Sequence, residues 1–332
     1  MTTRRRHLLT SSAALLAAPG LAIPSLAVEG FPSRPVSLVV PFPPGGTTDL
    51  GGRIIAPRAA HHLGGTIVIE NRPGAAGAVA ADQVRRADPD GHTLFLGVAA
   101  THGVRPAVFG DQLPYDAVAD FAPVALLGVT PFLLVVRADS PFQTAAQLIE
   151  RLRAEPGRHN YASAGPGGVP HLAGEWLRME AGVDVVHVPY RGGAQMLQGL
   201  LSGDVTFMIE SVPTVAAAVA DGRLRVLARA TTRPGGAFAE VPTLGALGMG
   251  DVDAETWIMA IAPAGTPAAV LARLNAAFNA ANAEPAVVEQ LAAIGTQAIS
   301  DSTPESAAAH IREEIARWRG VVERAGIRLS LS

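Results

Sequence analysis

The chain has 332 residues, 48% hydrophobic and 17% charged, which describes an apolar globular protein rather than a disordered one. At roughly 100–200 residues per domain, that length suggests about two domains. Lysine and cysteine are both absent, so all 26 basic residues are arginine. A Walker-type phosphate loop, a Schiff-base or pyridoxal lysine, a disulfide, a thiolate nucleophile and an iron–sulfur cluster are thereby excluded from this chain.

At the N-terminus, Arg4, Arg5 and Arg6 precede an apolar segment from Leu8 to Ala18, and Ser25-Leu26-Ala27 is a small-x-small cleavage pattern. The apolar part is too short for a membrane span and is followed by Pro19 and Gly20. Residues 1–27 are therefore expected to be a cleavable signal peptide that directs export. Adjacent arginines followed by His7-Leu8-Leu9 suit the twin-arginine route. Without this segment 23 arginines face 29 acids, a net charge of about −6, which fits neither nucleic acid nor an anionic membrane surface.

The stretch Val36 to Asp49, VSLVVPFPPGGTTD, organises the rest of the chain. Val36 to Val40 reads as a strand buried on both faces, and Pro41, Pro43 and Pro44 end it because proline cannot donate to a ladder. Gly45 and Gly46 let the backbone turn closely, and Thr47, Thr48 or Asp49 can cap the helix from Leu50 to His62. A strand, a bare glycine turn and a helix start aim several backbone N–H groups at one spot, which attracts an anion. Thr66 to Glu70 is the next strand and runs into a second glycine turn, Asn71 to Gly77. Helix Ala78 to Arg86 and strand Thr93 to Val98 come next, then a third small loop, Ala99 to Gly103. This is the alternation of a parallel sheet with crossover helices, whose ligands sit beyond the carboxyl ends of the strands.

Pro123 to Arg137 is a long apolar stretch suited to leaving one sheet and entering another. A second α/β unit succeeds it: helix Thr144 to Ala154, strand Asn160 to Ser163, loop AGPGG, helix Pro170 to Glu180, strand Asp184 to Pro189, and Tyr190-Arg191-Gly192-Gly193 opening helix Ala194 to Leu201. Strand Val205 to Ile209, helix Val212 to Ala220 and strand Leu224 to Ala228 complete it. Trp257 to Ala262 then returns to the first unit, with helices Pro267 to Ala283, Glu289 to Ile294 and Pro304 to Arg324 after it. The expectation is a two-lobed clamshell: residues 28–128 and 252–332 form one lobe, 129–251 the other, and glycine loops of both face the cleft.

The motifs PFPPGGTTD, NRPGAAG, YASAGPGGVPHLAGE, HVPYRGG, LLSGDVTFM, VPTLGALG and APAGTP occur in this order. Together they resemble the Bug-type family, the periplasmic solute-binding subunits of tripartite tricarboxylate transporters. The likeness covers roughly Phe31 to Arg328. It implies an α/β, type II periplasmic binding-protein fold with two crossover strands. It also implies a small carboxylate ligand held by main-chain groups, hydroxyls and water, and membrane transporter subunits as partners. Carried over by motif, Phe42 and Gly45, Gly46, Thr47, Thr48 and Asp49 match the first-lobe loop that holds a carboxylate. Asn71 and Ala75 match the second loop, and Thr101 lies in the third. In the second lobe Ser163, Gly167, Gly168 and His171 match one loop, and Pro189, Tyr190, Arg191 and Gly192 another. Three residues depart from the family pattern: Gly168 replaces a hydroxyl residue, Arg191 a lysine, and Glu210 the aspartate common after the strand.

No catalytic group, metal or cofactor is expected. His171 has no acid at a spacing to orient it, and Ser163 lacks a nucleophile-elbow frame. His61 and His62 are adjacent, so a helix points them apart, and the other histidines lack ligand spacing. Asp49 suits helix capping better than anion contact. The reading is a monomeric solute-binding protein that delivers an organic acid to a transporter. The alternatives are an exported hydrolase on the same scaffold and a ligand-presenting sensor subunit.

Overall fold

The first strand, β1 (Val36–Val40), is almost wholly buried, as three β-branched valines and Leu38 beside the small Ser37 dictate. The computed structural model describes residues 30–250 and 252–331; the expected signal segment, 1–27, lies outside the described residues. From β1 the chain enters α1 (Thr47–Leu63), which tolerates Pro57 and closes on the left-handed Gly64. Then come β2 (Ile67–Asn71), α2 (Ala78–Arg85) and β3 (Thr93–Val98), a turn over Ala100–Val104 and the short α3 (Arg105–Phe109). Helix α3 has no counterpart among the elements expected from the sequence.

The apolar run expected to cross between sheets does so as one strand, β4 (Phe121–Arg137). The second half continues as α4 (Ala145–Ala154), β5 (Asn160–Ser163), α5 (Val169–Ala181), β6 (Val186–Pro189), α6 (Gly193–Ser202), β7 (Phe207–Ser211), α7 (Val212–Ala220) and β8 (Leu224–Arg229). The return strand β9 (Glu255–Pro263) leads into α8 (Ala268–Asn282), α9 (Pro285–Ala293), β10 (Gln297–Ala298) and α10 (Pro304–Arg324).

Strand order is β2-β1-β3-β9-β4-β7-β5-β6, with β10 and β8 also on β4. In the first half β1 pairs parallel with β2 and β3, and β9 runs antiparallel between β3 and β4. In the second half β5 is parallel to β6 and β7, and β7 and β8 are antiparallel to β4. Thus Phe121 to Pro131 of β4 belongs to one half and Phe132 to Arg137 to the other. Beside that switch the second crossing closes on the first: Phe132 N–H donates to Ala254 O, and Ala254 N–H to Ala230 O.

Each half covers its sheet on both faces. Ile55 and Ala59 of α1 pack with Leu274 and Phe278 of α8 on one face of the first sheet, while α2 residues meet Phe95 and Met259 on the other. In the second half α4 and α5 take one face, α6 and α7 the other. The C-terminal helix departs from expectation. The sequence suggested a return to the first half, but α10 places Ile311 and Ile315 in the first core and Trp318, Val321 and Val322 in the second. Its apolar stripe is thus divided between the two cores, and Trp318 meets Trp176 of α5 edge-on at 5.9 Å.

Two local expectations need correction. None of Thr47, Thr48 or Asp49 caps α1; Gly46 is the N-cap in extended geometry and makes no side-chain cap. Its neighbour Gly45, at φ 85, already turns the chain, so the helix starts earlier than the proline run suggested. Glu210 does not come after its strand but lies within β7. The expected strand began at Val205, whereas Thr206 is tied to Asn160 by side chain and backbone, so the ladder begins at Phe207.

Candidate functional site

The parallel strands β1, β5, β6 and β7 each hand over at their carboxyl ends to a helix whose N-terminus faces the space between the halves. The first N–H groups of an α-helix have no intrahelical acceptor and carry the positive end of its dipole. Thr47 and Thr48 of α1, Val169 and Pro170 of α5, Gly193 of α6, and Ser211 and Thr214 at α7 all line one cavity of about 510 Å³. Its floor is the crossing itself: Gly128, Thr130 and Phe132 of β4, and Thr256, Trp257 and Ile258 of β9. Thr130 and Thr296 join their hydroxyls there at 2.8 Å.

The α1 loop is braced from beneath. Asp49 Oδ2 accepts the Gly45 N–H and Arg53 Nε, each at 2.9 Å, and Oδ1 accepts Asn71 Nδ2 at 2.8 Å. The same Asn71 nitrogen donates to Phe42 O at 3.0 Å. Despite a burial cost, hydrogen bonds from Arg53, Gly45 and Asn71 hold the Asp49 carboxyl down at about 2. A carboxylate so engaged fixes the loop.

Of the residues singled out in the sequence, Phe42, Gly46, Thr47, Thr48 and Glu210 line the cavity. The others lie around it. Asp49, Asn71 and Gly45 form the brace, and Ala75 is exposed in the second loop at φ 45. Thr101 is buried, its hydroxyl shared with the backbone of Val98. Ser163 is also buried, bonding Gly165 O at 3.1 Å and His187 Nε2 at 2.6 Å. The Gly167 N–H donates to His171 Nδ1 at 3.1 Å, which makes His171 a brace for its own loop. Gly168 is the N-cap of α5. Pro189 ends β6, and the Tyr190 ring sits over Gly199 of α6, where a Cβ would meet its hydroxyl at 2.2 Å.

His171 lies flat on His187 with ring centroids 4.1 Å apart, and burial lowers both, His187 to about 4. A Ser163–His187 pair was not visible in the sequence, because β5 and β6 bring them together across 24 positions. The floor residues were missed too. Their only signal was small and hydroxyl residues, Gly128 and Thr130, interrupting an apolar run.

Among the described residues no arginine or histidine lines the cavity, and Glu210 is the one ionisable residue that does. Such an arrangement can receive an anion on backbone N–H groups and hydroxyls, and an apolar body on Phe42, Phe132 and Trp257. Among the described residues no cluster of three or more His, Asp or Glu has metal-binding spacing, and no helix is long and apolar enough to cross a membrane.

Residues 52–327 match the family model described as the tripartite tricarboxylate transporter family receptor, and the chain belongs to that family. It is 33% identical over 314 residues to Protein BugT of Bordetella pertussis, covering 95% of this chain and 96% of BugT. Among solved structures it resembles R. palustris Rpa4515 with adipate, at 33% identity and TM-score 0.77 over 90% of this chain and 99% of that one. It also resembles MatC (Rpa3494) from Rhodopseudomonas palustris with bound malate, at 35% identity and TM-score 0.73 over 88% and 100%. The protein is a solute-binding receptor with the two-lobed fold of periplasmic binding proteins.

Proposed function

We propose that this receptor captures one small carboxylate in the periplasm and delivers it to the membrane subunits of a tripartite transporter. The observation that carries the reading is the convergence of four helix N-termini on a cavity lined, among the described residues, by no cation. Each charge-assisted bond from a backbone N–H or hydroxyl contributes roughly 1.5–3 kcal/mol. A micromolar complex needs about 8 kcal/mol net, so a handful suffices after ordering costs. Structural relatives solved with adipate and with bound malate support an organic acid as ligand.

The mature chain acts as a monomer after loss of residues 1–27. Residues 28–128 with 252–332 move against 129–251 about the two crossings, closing over the ligand by hinge motion. The candidate site residues shape the loops that receive it: some by contact, others, such as Asp49 and Asn71, by holding a contact loop in place. Ser163 and His187 support binding rather than turnover, because the serine is buried and its hydroxyl is already committed to Gly165. A panel of mono-, di- and tricarboxylates, amino acids and aromatic acids screened by thermal shift, with product analysis, tests the reading. At least one acid should raise the melting temperature and be recovered unchanged. Steady product formation that disappears in Ser163→Ala would instead identify a hydrolase.

A further inference from the structure

The second-half wall of the cavity carries a carboxyl that no cation among the described residues neutralises. Glu210 lies on β7 opposite Leu133 of β4 and is 6% exposed. Its Oε1 accepts the Ser211 N–H and hydroxyl at 2.7 Å and the Thr214 hydroxyl at 3.4 Å. All its hydrogen bonds among the described residues go to that one oxygen, and none of the ion pairs among the described residues includes it. Oε2 therefore belongs to a residue that lines the cavity yet takes no donor from the described protein.

We propose that Glu210 is a specificity determinant: it selects ligands with one carboxylate and, at the opposite end, an ammonium or other hydrogen-bond donor, and it turns away dicarboxylates of the same length. This rests on the carboxylate-binding function proposed for the cavity, with the ligand carboxylate on the α1 loop. A second carboxylate near Glu210 would meet a like charge with no cation to separate them, inside a cavity where charges are poorly screened. A donor there completes the bonding of Oε2 and meets opposite charge. Burial raises the Glu210 carboxyl above its ordinary value, and a cationic ligand end would draw it back down.

The test is calorimetry at pH 7.5 on unbranched acids of four to eight carbons, each as the monocarboxylate, the dicarboxylate and the terminal amino acid. Wild-type protein should bind the best amino acid at least tenfold tighter than the dicarboxylate of equal length. Glu210→Gln, checked for folding by thermal unfolding, should erase that advantage and improve dicarboxylate binding at least tenfold. Equal or tighter binding of the dicarboxylates by wild type overturns the role of Glu210 while leaving carboxylate capture standing, whether or not the variant folds. Binding of none of the series would overturn this inference, and carboxylate capture falls with it only if the tricarboxylates and aromatic acids of the wider screen fail as well.

Discussion

The indole N–H of Trp257 donates to Glu314 Oε2 at 3.1 Å, tying the cavity floor on β9 to the middle of α10. Trp318 Nε1 donates to the same oxygen at 3.2 Å. Arg317 holds the other oxygen and also pairs with Asp253 at 3.0 Å. Burial raises the Glu314 carboxyl, and the Arg317 charge together with the two indole donors pulls against that rise. One buried acid thus serves the floor, the terminal helix and the second crossing.

Glu314→Ala should cost about 3 kcal/mol or more of stability, because it strands two buried indole donors that each lose about 1–3 kcal/mol when unpaired. Urea unfolding of the variant measures this. A loss under about 1 kcal/mol would mean that the tryptophans find other acceptors and the tie is incidental.

Gly46→Val should leave folding nearly unchanged and weaken ligand binding tenfold or more, about 1.4 kcal/mol. Gly46 sits at φ −77, open to any residue, and an added Cβ meets only Pro43 O at 3.7 Å, an ordinary contact. The side chain would instead occupy the cavity that Gly46 lines. Calorimetry beside a thermal melt separates the effects; undiminished affinity would reduce this loop to a connector.

Arg191→Gln should cost under about 1.5 kcal/mol of binding, the size of one ordinary hydrogen bond. Arg191 is exposed, lies outside the cavity lining, and its N–H donates to Gln195 within its own helix start. The variant is titrated with whichever acid the screen identifies. A deficit of 3 kcal/mol or more would show that a cation, rather than the backbone, holds the anion.

Stability should fall as pH drops below about 6.5, and His102 should account for a defined share. It is buried against Phe95, Tyr115 and Phe121, and burial takes its pKa from 6.5 down to about 3. Across that window the unfolded chain binds a proton that the folded chain refuses, so acid favours unfolding. His187 and His310, both lowered to about 4, act in the same direction, whereas the raised carboxyls of Glu210 and Glu314 oppose it. Comparing variants isolates one site: His102→Gln should lose about 2 kcal/mol less than wild type between pH 6.5 and 5. An equal loss of unfolding free energy by variant and wild type between the two pH values, read from urea titrations, would refute the assignment.

The order of elements was legible because most are punctuated locally. Prolines end β1, Gly64 and Gly182 close α1 and α5 in left-handed geometry, and Thr303 caps α10 where the sequence placed its start. The rim of the site could be read for the same reason, since a glycine turn before a helix announces itself in a few residues. The floor could not. Thr130, Thr256 and Thr296 meet only because three distant segments pair at the crossing, and nothing local distinguishes a threonine in a ladder from one beneath a ligand. Likewise α10 showed its amphipathic stripe but not that the stripe is divided between two cores.

The strand β4 is shared by both halves, and its switch point, Thr130 to Phe132, is also the bottom of the pocket. The rotation proposed above, if it turns about that point, is a lever with its fulcrum under the cavity. Groups at the fulcrum barely travel, whereas those on the cavity walls, such as Gly46 and Thr214, travel further. Under that motion the floor would meet a solute in nearly the same form before and after closure, and the rim would engage only afterwards. Selection would then be split in time: Thr130, Thr256 and Trp257, on the floor, would set how readily an arriving molecule lodges, and the rim how long it stays. Substitutions on the floor should register in the association rate as well as the dissociation rate, and those on the rim almost wholly in dissociation.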